Sequence, residues 1–268
     1  MIPKIKRAKG RRPLPLKVRA NVQLSPSFNR LTLGGPALAD FTSPGLDHGV
    51  RLFFPREGQP ALWLPSFKND AWMPETLLQP ASRRPWVRNY TIRDHRPDQQ
   101  ELDIEFALHG DEGPASAWAA RARPGDPAGI MDEGYTYLPP DGADRQLLVG
   151  DESALPAILS ILGTASAGLT GQVFLEVPLA GDIRGDIVCP AGVQVTWLSR
   201  DGAATVPGAL ALQAVKDAPD LGKPSYAWIA GESKLATGVR RHLVNERHIE
   251  KRDIAFIGYW RHGRPSPG

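Results

Sequence analysis

The segment RNYTIR, residues 88–93, concentrates side chains that could bind a ligand. It offers two guanidinium groups, Arg88 and Arg93, together with the ring of Tyr90 and the hydroxyl of Thr91. If the segment is extended, side chains alternate between its faces, so Arg88 and Tyr90 project on the same side. A cation, a flat ring and a hydroxyl presented together indicate a binding segment. An ordinary strand with exposed cations is the alternative.

Three further polar clusters follow apolar runs in the second half of the chain: Asp151 with Glu152, Ser199 with Arg200, and Gly231 with Glu232. Ligands of open α/β sheets bind at the carboxyl ends of the strands, where these clusters are expected. The first cluster opens a helix whose N-terminus could face a phosphate, although it lacks the G-x-G-x-x-G fingerprint. The second could hold the 2′-phosphate of NADP, or form an ordinary loop. The third could let a flat ring approach closely, or simply start a helix.

The elements that must position these residues divide into two halves. Short runs rich in β-branched and aromatic residues fill the first half and predict an antiparallel β-barrel. PASAWAARA is the exception and predicts a short helix that stops at Pro124-Gly125. In the second half, strands alternate with helices and are apolar on both faces, which predicts an α/β domain with a parallel sheet. The turn-rich LPPDGADR separates the halves, so we predict domains at 1–140 and 141–268.

Composition excludes several classes of function. The 268 residues are 41% hydrophobic and 23% charged, as in ordinary globular proteins. A net charge of +3 is too small for a typical nucleic-acid binder, and the basic N-terminal KIKRAKGRR is expected to be a solvated, partly disordered tail. No run approaches the ~20 apolar residues of a membrane helix, and no apolar region follows the N-terminal charges. We therefore expect a cytoplasmic protein without nucleic-acid or membrane partners.

Metal binding by protein side chains is not expected. Cys189 is the single cysteine, and the six histidines are scattered without the spacing of a metal site.

Five segments occur in an order that resembles a known family: RNYTIR, DIEFALHGDEGPASAWAARARPGD, GDESALPAI, YAWIAGES and GYWRHG. Together they resemble the siderophore-interacting proteins, which are flavin-dependent ferric-siderophore reductases related to ferredoxin–NADP reductases. The resemblance covers nearly the whole chain. It implies an FAD-binding barrel followed by a nucleotide-binding α/β domain, with NADPH or NADH as electron donor and ferredoxin as an alternative donor.

The resemblance also assigns roles to the first binding segment. Arg88 would pair with the pyrophosphate of FAD, and Arg93 would add charge near the phosphates. Tyr90 would lie against the flavin, and Thr91 would form a hydrogen bond near its N5 atom.

The other matched segments would complete the cofactor site. The start of the short helix, at Ala115 and Ser116, would cradle the pyrophosphate, and His109 would contact the cofactor from the preceding turn. Trp118 is expected in the core. Tyr259 and Trp260 would cover or flank the isoalloxazine. The clusters at residues 151–152, 199–200 and 231–232 would serve the nucleotides.

The function implied by the resemblance is reduction of a ferric siderophore through FAD, with release of ferrous iron. Many ferric siderophores are anionic, so the docking site should be basic, and the candidates are Arg240, Arg241, Arg261 and Arg264. We expect a monomer. Two alternatives remain at this point: a flavin reductase with another electron acceptor, and a non-catalytic module that binds a siderophore without flavin.

Overall fold

A computed structural model describes residues 4–7, 10–108, 113–203, 205–219 and 221–264 of the chain. Two compact units are present, one formed mainly by residues 5–135 and the other mainly by residues 136–267. No helix among the described residues has the length and hydropathy needed to cross a membrane.

The first unit is a closed six-stranded barrel with neighbours in the order β1-β2-β5-β4-β3-β6, each paired antiparallel. Its strands are β1 (Leu14–Ser25), β2 (Phe28–Gly34), β3 (Gly49–Phe54), β4 (Trp86–Arg96), β5 (Glu101–Ala107) and β6 (Pro127–Gly134). Closure leaves every strand with two partners, so no strand edge is exposed for pairing with another chain.

The described residues of the barrel unit form two α-helices, α1 (Trp72–Leu77) and α2 (Pro114–Arg121). Pro114 occupies the first position of α2, where its missing N–H group costs no helical hydrogen bond. Trp118 of α2 is 3% exposed and packs between Phe54 and Phe106, whose ring centroids lie 4.9 and 6.0 Å away. The predicted short helix and the core position of Trp118 are therefore confirmed.

The described residues of the basic N-terminal segment are mostly exposed, as expected, but the segment is bonded to the barrel at Lys6 and Arg11 and is not a free tail. Lys6 pairs with Tyr135 through two backbone hydrogen bonds of 2.9 and 3.1 Å. Arg11 is 5% exposed and donates to Glu133 at 2.5 Å and to Asp70 at 2.6 Å. This segment is held against the barrel because its cations find carboxylates that lie far away in the sequence.

The second unit is a five-stranded parallel sheet in the order β11-β10-β7-β8-β9. Its elements are β7 (Arg145–Gly150), α3 (Leu155–Thr164), β8 (Thr170–Val177), β9 (Gly192–Ser199), α4 (Ala209–Asp217), β10 (Tyr226–Glu232), α5 (Ser233–Asn245) and β11 (Ile254–Trp260). Strand β10, which lies between β11 and β7, is buried along its whole length, which matches its mostly apolar sequence.

The predicted architecture, an antiparallel barrel followed by a parallel α/β domain, is confirmed. The strand β6, which closes the barrel, was not predicted, because PAGIMDEG carries a proline, two glycines and two acids. Helix α1 was not predicted either, since it lies within a connection broken by prolines.

The pairing of β7 with β8 requires a glycine at position 171. Gly171 has φ of +135°, and a Cβ atom there would lie 1.9 Å from the carbonyl oxygen of Gln146. We expect Gly171→Ala to lower the free energy of unfolding by about 3 kcal/mol or more in urea denaturation. Gly163→Ala is the control, because Gly163 lies in α3 with nothing within 4 Å of the added atom. The Gly163→Ala protein should have a free energy of unfolding about 0.5–1 kcal/mol higher than that of the wild-type protein. Equal denaturation midpoints for the two variants would contradict this account.

Candidate functional site

Strand β4 places Trp86, Arg88 and Tyr90 at alternate positions, so the three side chains share one face. The ring of Tyr90 lies 4.3 Å from that of Phe106, measured between centroids. Burial raises the pKa of the Tyr90 phenol, so the ring stays neutral at physiological pH. Phe106 also contacts Trp118 of α2, so its side chain connects β4 with α2. These are the two elements that were predicted to bind the same cofactor, FAD.

Arg88 is a partly buried cation whose charge is not paired with a carboxylate of the described residues. It is half-buried, yet its one hydrogen bond among the described residues goes to the backbone oxygen of Val87 at 2.8 Å. The described part of the chain offers no carboxylate within 4 Å of it. Burial lowers the pKa of Arg88, and the nearby charge of Arg56 lowers it further, while Tyr90 opposes the shift. An anionic group placed here would relieve both costs, so the residues fit a phosphate.

Arg93 and Thr91 are placed differently from Arg88. The Nε atom of Arg93 lies 3.7 Å from Glu105, a fully buried carboxylate that also binds Arg30 at 2.7 Å. Arg93 therefore shares one carboxylate with Arg30, and its contact near the phosphates stays a prediction. Thr91 is 8% exposed and pairs with Gly49 of β3.

The start of α2 supplies the second part of the predicted cofactor site. Ala115 and Ser116 lie in its first turn and are 8% and 7% exposed. The helix is anchored through Trp118, so these two backbone positions are fixed relative to β4. His109 lies outside the described residues.

At the carboxyl end of the sheet, a guanidinium from the end of β9 joins two other strand ends. Arg200 forms two bonds with Glu152, at 2.8 and 2.9 Å, and one with Glu176, at 2.8 Å. Both glutamates are fully buried. Glu176 also accepts from the amides of Gly208 and Ala211 at the start of α4. These contacts hold the ends of β7, β8 and β9 together with the helix that follows.

This arrangement bears on the predicted 2′-phosphate contact. Both terminal nitrogens of Arg200 are bound by carboxylates, and the Ser199 hydroxyl donates to Asp201 at 2.5 Å. A phosphate at this position would have to displace those partners. The contact stays a prediction, and the geometry shows Arg200 in a structural role that the sequence did not reveal.

Asp151 is a second buried acid at the same edge of the sheet. It accepts from the amide and hydroxyl of Ser153, at 2.9 and 2.5 Å, and from the amide of Glu232 at 2.6 Å. Burial and the charge of Glu152 raise the pKa of Asp151 to about 7, against the opposing effect of these donors. Its carboxyl group lies over Gly231, where a Cβ atom would be 2.6 Å away. The side of Gly231 on which a Cβ atom would stand is therefore filled by Asp151, and the approach of a flat ring to this backbone stays a prediction.

Glu232 connects the start of α5 with the end of the chain. It is fully buried and accepts from the amide of Lys234 and from that of His262 at 3.1 Å. Ser233 donates to the backbone oxygen of Trp260 at 2.8 Å. Tyr259, 36% exposed, and the half-buried Trp260 therefore end β11 in a position fixed from α5.

The four candidate docking arginines form two separate pairs. Arg240 and Arg241 line a groove of about 440 Å³ with Lys251 and Phe256, and Arg240 lies over the Phe256 ring at 4.7 Å. The backbones of Arg261 and Arg264 form an isolated antiparallel β-bridge in the turn after β11. Only the second pair lies at the carboxyl end of the sheet, where ligands of such folds bind.

Three residues with contacts of interest, Arg56, Trp86 and His48, were not predicted from the sequence. Arg56 stacks on Trp86, at 3.9 Å from its ring centroid. The buried His48 lies between Ser43, at 2.8 Å, and Asp132, at 3.0 Å, one residue before the Gly49 that pairs with Thr91. Strand alternation alone would have pointed to Trp86, which lies two residues before Arg88. The positions of Arg56 and His48 depend on the pairing of β3 with β4 and β6, which the sequence alone does not reveal. Within the described ranges, no group of three or more His, Cys, Asp or Glu side chains is arranged to hold a metal ion.

Arg200→Ala should destabilise the α/β unit, because it leaves two buried carboxylates without their cation. We expect a loss of about 3–5 kcal/mol in the free energy of unfolding, measured by urea denaturation. The control is Arg252→Ala, since Arg252 is 84% exposed and lies 3.9 Å from Asp253, a pair expected to contribute ~0–1 kcal/mol. Similar small losses for both variants would remove the structural role of Arg200.

The raised pKa of Asp151 predicts a pH dependence of stability. The folded protein binds this proton more tightly than the unfolded chain, so protonation stabilises the fold. The stabilisation is full below the ordinary aspartate pKa of about 4 and is lost as the pH rises through about 7. Relative to Asp151→Asn, the wild-type protein should therefore lose stability between about pH 4 and about pH 7. Parallel stability curves for the two proteins in urea denaturation would contradict this.

Comparison with known proteins places the chain. A sequence model of the siderophore-interacting FAD-binding domain matches residues 17–136, and a model of the siderophore-interacting protein matches residues 143–263. The chain is 33% identical over 242 residues to the ferric vibriobactin reductase ViuB of Vibrio cholerae, covering 90% of this chain and 86% of ViuB. It is 31% identical to the NADPH-dependent ferric-chelate reductase of Escherichia coli, covering 89% of each chain.

A solved structure agrees with these matches. The crystal structure of the siderophore-interacting protein SipS from Aeromonas hydrophila is 33% identical, covers 95% of this chain and 93% of its own, and superposes with a TM-score of 0.78. The sequence motifs, the two-unit fold and these likenesses agree, and the chain belongs to the siderophore-interacting protein family.

Proposed function

We propose that the protein is an FAD-dependent reductase that passes electrons from NADPH to a ferric siderophore. The observation that carries this proposal is the half-buried Arg88, which has no carboxylate partner among the described residues and lies beside Tyr90 on the barrel. Both relatives described above are named as ferric reductases, and one is named as NADPH-dependent. We assign FAD to the first domain, residues 1–140, and the nicotinamide nucleotide to the second, residues 141–268.

The barrel residues would hold FAD in a fixed orientation. Arg88 would bind the pyrophosphate through its planar fork of donors, and the first turn of α2, at Ala115 and Ser116, would offer backbone amides to the same group. Tyr90, held by Phe106, would support the flavin ring, and Thr91 would donate or accept at its edge. When bound, FAD supplies the conversion of a two-electron hydride into single electrons.

The substrate is the ferric complex of a siderophore. Ferric iron is a hard cation that catecholate or hydroxamate oxygens bind tightly, and reduction to ferrous iron weakens those bonds. One hydride from NADPH carries two electrons, so two ferric ions are reduced to ferrous ions while NADP⁺ and one proton are released. We assign the attraction of an anionic complex to Arg261 and Arg264, which lie at the carboxyl end of the sheet, with Arg240 and Arg241 as the second candidate pair.

We further propose that the protein acts in the cytoplasm as a monomer. Ferredoxin is the alternative electron donor, and the assay below, repeated with reduced ferredoxin in place of NADPH, separates the two donors.

The proposal is tested by the visible spectrum of the purified protein, followed by an anaerobic assay. The protein is mixed with NADPH, a ferrous chelator and the ferric complex of one catecholate or one hydroxamate siderophore. Flavin bands that bleach with NADPH and return as the ferrous complex forms are the expected result. Flavin that bleaches without formation of the ferrous complex would indicate a reductase for another acceptor. Protein that binds no added FAD would overturn the proposal.

Arg88→Ala should weaken FAD binding by about tenfold to a hundredfold, because it removes a charge-assisted contact to the pyrophosphate. The dissociation constant is measured by titrating FAD into the apoprotein and following flavin fluorescence. Arg123→Ala is the control, since Arg123 is exposed and its substitution removes the same charge from the barrel unit. An Arg88→Ala protein that binds FAD as tightly as the control would discard the role given to Arg88.

A further inference from the structure

A second guanidinium group lies close to Arg88 on the barrel. Arg56 lies just past the end of β3, whose last residue, Phe54, pairs with Trp86 of β4. The Cζ atom of Arg56 lies 3.9 Å from the centroid of the Trp86 ring, and that of Arg88 lies 5.2 Å from the same centroid. One indole therefore holds two cations near each other.

The position of Arg56 is fixed by its own contacts. Its Nε atom donates to the backbone oxygen of Arg84 at 2.8 Å, and its backbone amide donates to Gln59 at 2.9 Å. Gln59 donates in turn to the backbone oxygen of Arg84 at 3.1 Å. These bonds leave the two terminal nitrogens of Arg56 without an acceptor among the described residues, so its outer donors are free to bind a ligand.

Two fixed guanidinium groups without a counter-ion are unfavourable in isolation. Burial lowers the pKa of Arg56, and the adjacent charge of Arg84 lowers it further. The guanidinium of Arg84 is itself bound through Nε and one terminal nitrogen to the backbone oxygens of Leu77 and Gln79, which engages more of its donors than the single bond of Arg56 does. Within the described ranges, neither Arg56 nor Arg88 has a carboxylate within 4 Å. This arrangement is suited to a ligand that carries two neighbouring negative charges.

We propose that Arg56 and Arg88 form a clamp for the two phosphates of FAD, with Arg88 on the flavin side and Arg56 on the adenosine side. Trp86 is the positioning residue that holds Arg56 in place. The inference rests on the proposed function. The order follows from β4, because Tyr90, Arg88 and Trp86 are spaced two residues apart on one face, about 6.6 Å per step. FAD has its ring, first phosphate and second phosphate in the same order.

The clamp predicts a selective effect of Arg56. FMN carries only the phosphate next to the ribityl chain, whereas FAD carries the second phosphate and the adenosine as well. Loss of Arg56 should therefore weaken binding of FAD and leave binding of FMN nearly unchanged. Loss of Arg88 should weaken binding of both.

The test is a titration of FAD and of FMN into the apoprotein, with the dissociation constants measured by flavin fluorescence and calorimetry. For Arg56→Gln we expect an increase in the FAD dissociation constant of about tenfold or more, and a change of less than about twofold for FMN. Arg88→Gln should increase both constants. Arg56→Lys keeps the charge but not the planar fork, and should recover part of the FAD affinity.

Arg83→Gln is the matched control, because Arg83 is an exposed arginine of the same loop and should leave both constants unchanged. Thermal unfolding of each apoprotein checks that the fold is retained. An Arg56→Gln protein that keeps the wild-type ratio of FAD to FMN affinity, or that loses affinity for both equally, would overturn the clamp and leave the proposed function intact. A wild-type protein that binds neither flavin would overturn the proposed function itself.

Discussion

Arg200 is the ion on which the carboxyl edge of the sheet depends. Glu152 and Glu176 are fully buried at the ends of β7 and β8, and a carboxylate removed from water is costly unless a cation or several donors compensate it. Arg200 supplies that cation, and Glu176 in turn fixes the start of α4. Asp151 and Glu232 follow another solution, in which backbone amides of neighbouring elements bind the carboxyl groups. A nucleotide that approaches this edge therefore meets acids whose charge is already compensated, which reduces the repulsion of its phosphates.

The barrel shows the opposite arrangement of charge. Arg93 and Arg30 share a buried glutamate, and Arg96 is bound by Asp94, Glu101 and Asp103. Arg56 and Arg88, however, lie next to each other on one indole without such partners among the described residues. Among the described arginines of this unit that are at least partly buried, Arg56, Arg84 and Arg88 are the ones without a carboxylate within 4 Å, and Arg84 is bound by backbone oxygens. Arg56 and Arg88 therefore mark the place where an anion would bind with the largest gain. In a chain whose net charge is only +3, this local arrangement says more about the ligand than the total does.

The fold could be predicted from the sequence because its signals are local. Apolar alternation, turn residues and the proline at the start of α2 mark most elements, and the order of strands and helices predicts the class of each unit. The strand β6 was missed because its composition resembles that of a turn. The buried position of Arg11 could not be predicted, since its partners Asp70 and Glu133 are 59 and 122 residues away.

The same limit applies to the candidate site. Arg88, Tyr90 and Thr91 could be proposed from the sequence because their spacing is visible within six residues of one strand. The engagement of Arg200 by carboxylates 24 and 48 residues earlier depends on the order of strands in the sheet. Arg56 was missed for a related reason, because only the register of β3 against β4 places it on Trp86. Spacing along one element is therefore readable from sequence, whereas charge compensation between elements requires the fold.

The pairing of Lys6 with Tyr135 has a consequence for how the chain is made. Lys6 and Tyr135, which bond to each other, lie near the start and at the end of the segment that forms most of the barrel unit, and the closing strand β6 ends at Gly134. On the ribosome, the nascent first unit cannot complete its barrel until nearly all of its sequence has emerged, because these contacts join its two termini. Once residue 135 has emerged, every strand of the barrel has both of its pairing partners outside the ribosome. The first unit can then fold while the second is still being synthesised.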